Sequence, residues 1–229
     1  MPEKLELEHG RETLTDMIHD RLYRQVVENE LLPGTKMSEA DVARKLGVSR
    51  QPVRDAFYRL SQQGFLLVRP QRATLVAPIS IEAVMQALFI RTALETATVQ
   101  AAVDAGAGRD MTELDRLLEA QKKAIEADDR MRFHRLDDEL HHRICDLSGH
   151  GYTWALIREH KAHMDRIRFL SLSFTAHDAL AEHENIVAAI KAGNGEAAIA
   201  AMRHHLSRIA ESIARIHETH PDLFDQDQS

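Results

Sequence analysis

Asp137 and His141 stand four residues apart in the segment HRLDDELHHRICDLSGH, and His183 and His205 follow in two later segments. An i,i+4 pair meets on one face of a helix. Here the pair flanks an apolar stripe of Phe133, Leu136, Leu140, Ile144 and Leu147. His183 sits among Leu180, Val187 and Ile190, and His205 falls on the stripe Ala198, Met202, Leu206, Ile209, Ile213 and Ile216. Four polar side chains thus point inward from three helices. Burying that many imidazoles is costly unless each finds a partner. One carboxylate oxygen and three imidazole nitrogens suit a borderline divalent ion such as zinc, nickel, cobalt or iron(II). Spacing alone leaves two readings open: a metal site, or core histidines satisfied by protein partners.

A second chemistry lies earlier in the chain. Arg50 and Arg54 are also i,i+4, at the start of a helix that follows a capped helix and a glycine turn. An arginine there can bond guanine O6 and N7 in the major groove. Ser49 and the free N–H groups of the same helix end can take a phosphate. A third inward charge is Arg91, on the face of Ile81, Val84, Leu88 and Glu95. It either grips a ligand carboxylate bidentately or pairs structurally with Glu95; both readings stand.

The elements that must hold these residues follow from composition and punctuation. The 229 residues are 44% hydrophobic, 28% charged and 5% aromatic, an ordinary globular balance that favours helix over sheet. One cysteine excludes an intramolecular disulfide framework and a multi-cysteine zinc site. No apolar run reaches the ~18 residues of a membrane span, and the charged start MPEKLELEHG lacks a signal peptide's apolar core. The formal charge of −7 argues against nucleic acid until it is mapped. Residues 36–72 hold eight basic and three acidic residues, a compact basic stretch in an acidic protein.

Residues 1–78 read as a winged helix-turn-helix. A helix is expected over 12–31, ended by Leu32-Pro33-Gly34. Ser38 caps a short helix, 39–46, that closes at Gly47. A third helix opens at Ser49 or Arg50, tolerates Pro52 in its first turn, packs through Val53, Ala56, Phe57 and Leu60, and ends at Gly64. Strands over 65–68 and 74–77 flank a wing, Arg69-Pro70-Gln71-Arg72. Beyond a boundary at Pro78-Ile79-Ser80, residues 79–229 read as an antiparallel bundle of six helices: 80–105, 110–127, 130–148, 153–174, 176–192 and 195–217. The expected fold class is mainly α. His142 and His204 are expected to be solvated, Cys145 and Trp154 to be packing residues, and the tail PDLFDQDQS to be frayed. His160 and His163 form a rival H-x-x-H pair.

The run LLPGTKMSEADVARKLGVSRQPVRDAFYRLSQQGFLLVRPQRATLVAPIS resembles the DNA-binding domain of the GntR family of bacterial transcription regulators, through its PG, SE, LGVSR, PVR and RL elements. The resemblance implies that Arg50 and Arg54 read bases with Ser49 and Gln51 beside them, and that Arg72 enters the minor groove from the wing. Two positions depart from the pattern. Ala73 stands where the family often has glycine, and Ala40 where some relatives carry a base-contacting arginine. HRLDDELHHRICDLSGH and EHENIVAAIKAGNGEAAIAAMRHHL resemble the D-x-x-x-H and later E-H…H-L segments of the FCD effector domain of the FadR-like branch, although His150 replaces a common asparagine. That resemblance implies one divalent transition metal ion, zinc, nickel or similar, on Asp137, His141, His183 and His205. It leaves coordination sites for water or an effector carboxylate, and lets Arg91 face the effector pocket.

The expectation is therefore a ligand-responsive transcription regulator, not an enzyme. It is a cytoplasmic, nucleoid-associated bacterial homodimer with no membrane partner. Its bundle binds a small organic acid (a sugar acid, hydroxy acid or dicarboxylate), which releases the repressor from a pseudo-palindromic double-stranded operator. Two alternatives use the same residues: a sensor with the ion itself as effector, and a metal-dependent hydrolase. No motif supplies the general base that a hydrolase needs.

Overall fold

A computed structural model of the chain describes residues 13–68, 73–106 and 110–225. They divide into two compact units, one of residues 1–80 with 220–229 and one of residues 81–219. The sequence places the boundary two residues earlier and assigns the tail to the bundle; residues 220–225 instead group with the first unit.

In the first unit, α1 (Leu14–Val27) opens on a capping box between Thr13 and Asp16. The Thr13 hydrogen bonds, followed by Arg59, hold the Asp16 carboxyl down at about 2. Arg59 Nη1 donates to Asp16 Oδ1 at 2.7 Å and links the third helix to the first. Ser38 caps α2 (Glu39–Leu46), accepting from the Asp41 N–H, and Gly47 closes it at φ +69°, a left-handed conformation that glycine adopts without strain. Then α3 (Arg50–Gln62) buries Val53, Ala56, Phe57 and Leu60. Strands β1 (Lys36–Met37), β2 (Leu66–Leu67) and β3 (Thr74–Val76) form an antiparallel sheet of order β1-β3-β2.

Strand β1 is not legible as a strand because it is two residues long. It exists because Gly34, at φ +79°, turns the chain so that its N–H reaches the Val76 carbonyl at 2.9 Å, while the Val76 N–H returns to Thr35 O at 2.9 Å. The described part of the tail, residues 221–225, is not frayed; the rest lies outside the described residues. Residues Pro221–Leu223 form a 3₁₀ turn, and Leu223 and Phe224 are buried.

The second unit contains α4 (Ile81–Asp104), α5 (Thr112–Glu126), α6 (Arg130–Leu147), α7 (Tyr152–His160), α8 (Ala162–Lys191), α9 (Gly195–Ser207) and α10 (Ile209–Thr219). Its core joins Leu114, Leu117, Leu140, Ile144, Val187 and Met202. Two helix divisions differ from the sequence reading. The chain runs straight through Ser173–Thr175. The Thr175 hydroxyl donates to Ser171 O at 3.0 Å and the Ser171 hydroxyl to Arg168 O at 3.0 Å, so these hydroxyls bond to their own helix instead of breaking it. The break falls at Lys161, whose ammonium is drawn inward onto Asp138 and Asp165. The last expected helix divides at Arg208, where the N–H bonds the His205 carbonyl three residues back.

Candidate metal centre and nucleic-acid surface

Helix α6 carries Asp137 and His141, α8 carries His183, and α9 carries His205; one ligand atom from each lies within 4.8 Å of all the others. The pattern Leu114, Leu117, Gln121, Ala124 places Gln121 on the buried face of α5, where it is fully enclosed. Its Nε2 donates to Leu136 O at 3.1 Å, which turns Oε1 toward His183 Nδ1 at 2.8 Å. His183 Nδ1 must then carry the proton, leaving a lone pair on Nε2. Glu182 Oε2 accepts from His205 Nδ1 at 2.8 Å, with the same consequence for His205. His141 Nδ1 faces Glu95 Oε2. Each imidazole is thus backed by an acceptor on the side away from the cluster, as metal-ligating histidines are.

The electrostatics agree. Burial pushes the His183 imidazole well below its ordinary pKa. It lowers His205 as well, against the pull of Glu182. Both rings are therefore neutral near pH 7, and two lone pairs face each other across the 3.3 Å between His183 Nε2 and His205 Nε2. Buried His141 Nε2 has no hydrogen-bond partner. Asp137 Oδ1 lies 3.4 Å from His183 Nε2. Tetrahedral ligands at zinc distances are about 3.3 Å apart, so the spacing and the unmatched lone pairs both fit a divalent cation. Burial opposes the Asp137 charge, but the Arg168 guanidinium outweighs it and holds the carboxyl well below the usual range.

The sequence reading missed Arg168, Gln121 and Glu182, and gave Glu95 only as a partner of Arg91, not as the carboxylate facing His141. Arg168 grips Asp137 Oδ2 and also reaches Asp138 at 3.2 Å and Asp165 at 3.0 Å. Gln121 had a readable signal, a polar residue at a core position of a helix. Arg168 had none, because Asp137 and Asp138 come from another helix. His160 and His163 fall on different helices, α7 and α8, and neither joins the cluster. His142 and His204 are exposed.

The second grouping, His134, Asp138 and Asp165, is already neutralised by Lys161 and Arg168. Burial, then the Arg168 charge, lowers His134 to about 4. The unfolded chain binds a proton there below about 6.5 and the folded chain does not until about 4. Stability therefore falls with acidification across that window, by up to about 3 kcal/mol from this group. Metal-free His134→Phe protein, which keeps the packing on Phe169 at 4.1 Å, should lose less stability between pH 7 and pH 5 in urea titrations than the parent. Equal losses would remove His134 as the source.

Beside the cluster lies a cavity of about 170 Å³. Asp137 and His205 open onto it, with Arg91, Arg168, Ser171 and Ser212 in its wall. Of the two readings of Arg91 left open by the sequence, the pairing with Glu95 is present, and one end of the guanidinium stays unused. Arg91 Nε donates to Glu95 Oε1 at 2.5 Å, and its buried Nη2 has no hydrogen-bond partner.

In the first unit, Ser49 precedes α3 and makes no side-chain cap bond; Ser49, Arg50, Gln51 and Arg54 are all exposed. Gln51 donates to Asp55 Oδ1 at 2.8 Å, and Arg54 Nε lies 3.4 Å from Glu39 Oε2. Tyr58, one turn beyond Arg54, is exposed too. Arg72 lies outside the described residues.

Residues 14–76 match the domain of bacterial regulatory proteins of the gntR family, and residues 86–208 match the FCD domain. The chain belongs to the GntR family. Among GntR relatives, the HTH-type transcriptional repressor RspR of Escherichia coli is 33% identical over 216 residues, 93% of this chain and 95% of RspR. The probable D-xylose utilization operon transcriptional repressor of Paenarthrobacter nicotinovorans is 27% identical, covering 89% and 90%. The fold is shared with the solved structure of McbR/YncC from Escherichia coli, at a TM-score of 0.73 and 23% identity over 91% of this chain and 99% of that one. This GntR chain is a DNA-binding transcription regulator, mainly α, with a helix-turn-helix domain followed by a helical FCD domain. These relatives are named as transcriptional repressors. Among the described residues no helix is long and apolar enough to cross a membrane.

Proposed function

We propose that this regulator is a repressor of the FadR-like branch, released from a pseudo-palindromic operator by a small organic acid bound at a divalent transition metal. Asp137, His141, His183 and His205 hold the ion. The observation that carries the reading is the pair of facing Nε2 lone pairs at the edge of a cavity. When bound, the ion supplies a Lewis-acidic point of attachment for a carboxylate. Arg91 Nη2 then offers the carboxylate a charged donor. A cavity of about 170 Å³ suits a ligand of a few carbons, smaller than the roughly 300 Å³ sites of drug-sized molecules.

DNA is read by Arg50 and Arg54, with Ser49 and Gln51 beside them and Arg72 on the wing. The acting form is a homodimer in the bacterial cytoplasm. Met85 and Phe89 on α4, and Tyr152 and Leu156 on α7, which packs against α4, are exposed apolar side chains available to the dimer interface.

The test is a panel of gluconate-, lactate- and succinate-type acids added to the metal-loaded protein on a DNA fragment selected for tight binding. At least one acid should weaken binding tenfold or more, about 1.4 kcal/mol. If no acid acts while removal of the metal alone shifts DNA affinity, the ion itself is the effector and the organic-acid reading fails.

A further inference from the structure

The chain passes between its two units at two places only, at residues 80–81 and 219–220. Both passages begin at helices that wall the cavity. Helix α4 carries Arg91 and starts at Ile81. Helix α10 lines the cavity with Ile209, Ser212 and Arg215 and ends at Thr219. Beyond Thr219 the chain does not trail away. After the 3₁₀ turn it pairs in parallel with Ile79. The Ile79 N–H donates to Leu223 O at 2.8 Å, and the Asp225 N–H donates to Ile79 O at 3.2 Å. Ile79 is fully enclosed and Phe224 is 1% exposed. Ile79 follows β3 by two residues and precedes α4 by one, so the tail is stitched to the segment that joins the sheet of the DNA-binding unit to the bundle.

We infer that residues 220–225 are a coupling strap, through which the occupancy of the cavity acts on the DNA-binding unit. A ligand changes DNA affinity only if it binds the two states of the protein differently, so some element must have a different free energy in each. A shift of α10 toward a ligand held near Ser212 pulls on the Ile79 ladder from the C-terminal side, and a shift of α4 at Arg91 pulls on it from the other. One ladder therefore receives both movements. The tail's charged, proline-containing sequence gives no reason for burial of Phe224 unless the strap is seated. This inference rests on the proposed metal and effector site, and deepens it by naming how that site is read out.

The experiment uses the full-length chain and zinc as the probe. Hydrogen exchange is followed in peptides covering 74–80 and 220–225, and zinc stoichiometry is measured on the same samples. In the parent protein, zinc loading should slow exchange several-fold in both peptides. Phe224→Ala empties the seat of the strap. Asp225→Pro removes the N–H that bonds Ile79 O, together with the Asp225 carboxylate, and keeps the Phe224 side chain; Asp225→Asn, which keeps the N–H, is its control. Phe224→Ala and Asp225→Pro should bind zinc with unchanged stoichiometry and lose the response at 74–80. A retained response at 74–80 in both of them overturns the strap, as does a parent that takes up zinc with no change in either peptide. A parent that takes up no zinc overturns the metal reading itself, and the inference falls with it.

Discussion

His183→Ala is expected to abolish stoichiometric binding of a transition metal. His183 is the fully enclosed member of the cluster, and its Nε2 faces both His205 Nε2 at 3.3 Å and Asp137 Oδ1 at 3.4 Å. Without it, two imidazoles and a carboxylate still gripped by Arg168 remain, and the hole admits water. Gln121→Leu should act more gently. It keeps every ligand but removes the amide that fixes the His183 tautomer, and losses of that kind cost about 10–100-fold in metal affinity. Competition titration against a metallochromic chelator ranks the three proteins. Equal affinities in the parent and His183→Ala would place the metal elsewhere or nowhere. A Gln121→Leu protein as weak as His183→Ala would indicate that the amide supports the fold of the bundle and not one ring.

Arg54→Ala is the second large effect. The side chain is exposed on α3 and, among the described residues, is held by Glu39 Oε2 at 3.4 Å, a surface contact worth little. A guanidinium that is free to leave such a partner can meet a guanine edge. Its removal should weaken specific binding by about 1–3 kcal/mol and relax one base position in each half-site. Arg59→Ala is the control. Arg59 bonds Asp16 Oδ1 at 2.7 Å and ties α3 to α1, so its loss should lower the melting temperature of the domain without changing base preference. Binding to a randomised half-site library separates the two. Unchanged preference in Arg54→Ala would mean that another face of α3 reads the operator.

The parts of this fold that could be read from the sequence are those governed by local chemistry. Ser38 and Gly47 announce the ends of α2 because a cap and a left-handed closure need particular residue types. Asp137 and His141 declare a shared face because an i,i+4 interval allows nothing else. What could not be read depends on contacts between distant segments. Lys161 is an ordinary helix former, and only Asp138 on a different helix explains why α7 ends there. Arg168 looks like a solvated helix charge until α6 is laid against α8. The buried tail belongs to the same class: the Ile79 N–H that donates to the Leu223 carbonyl is well over a hundred residues away in sequence. The resemblance to the FCD domain closed part of this gap, since it brought four ligand positions together before any packing was known.

The most direct measurement is the metal content of untagged protein purified without added metal, by elemental analysis. The account predicts about one equivalent of a divalent transition metal per protomer, filling a site of one carboxylate and three imidazoles. It also predicts that the equivalent is lost in His183→Ala while the helical content remains. Protein that holds no metal, even after incubation with zinc, nickel and manganese, would contradict it. The four residues would then serve a ligand pocket without an ion.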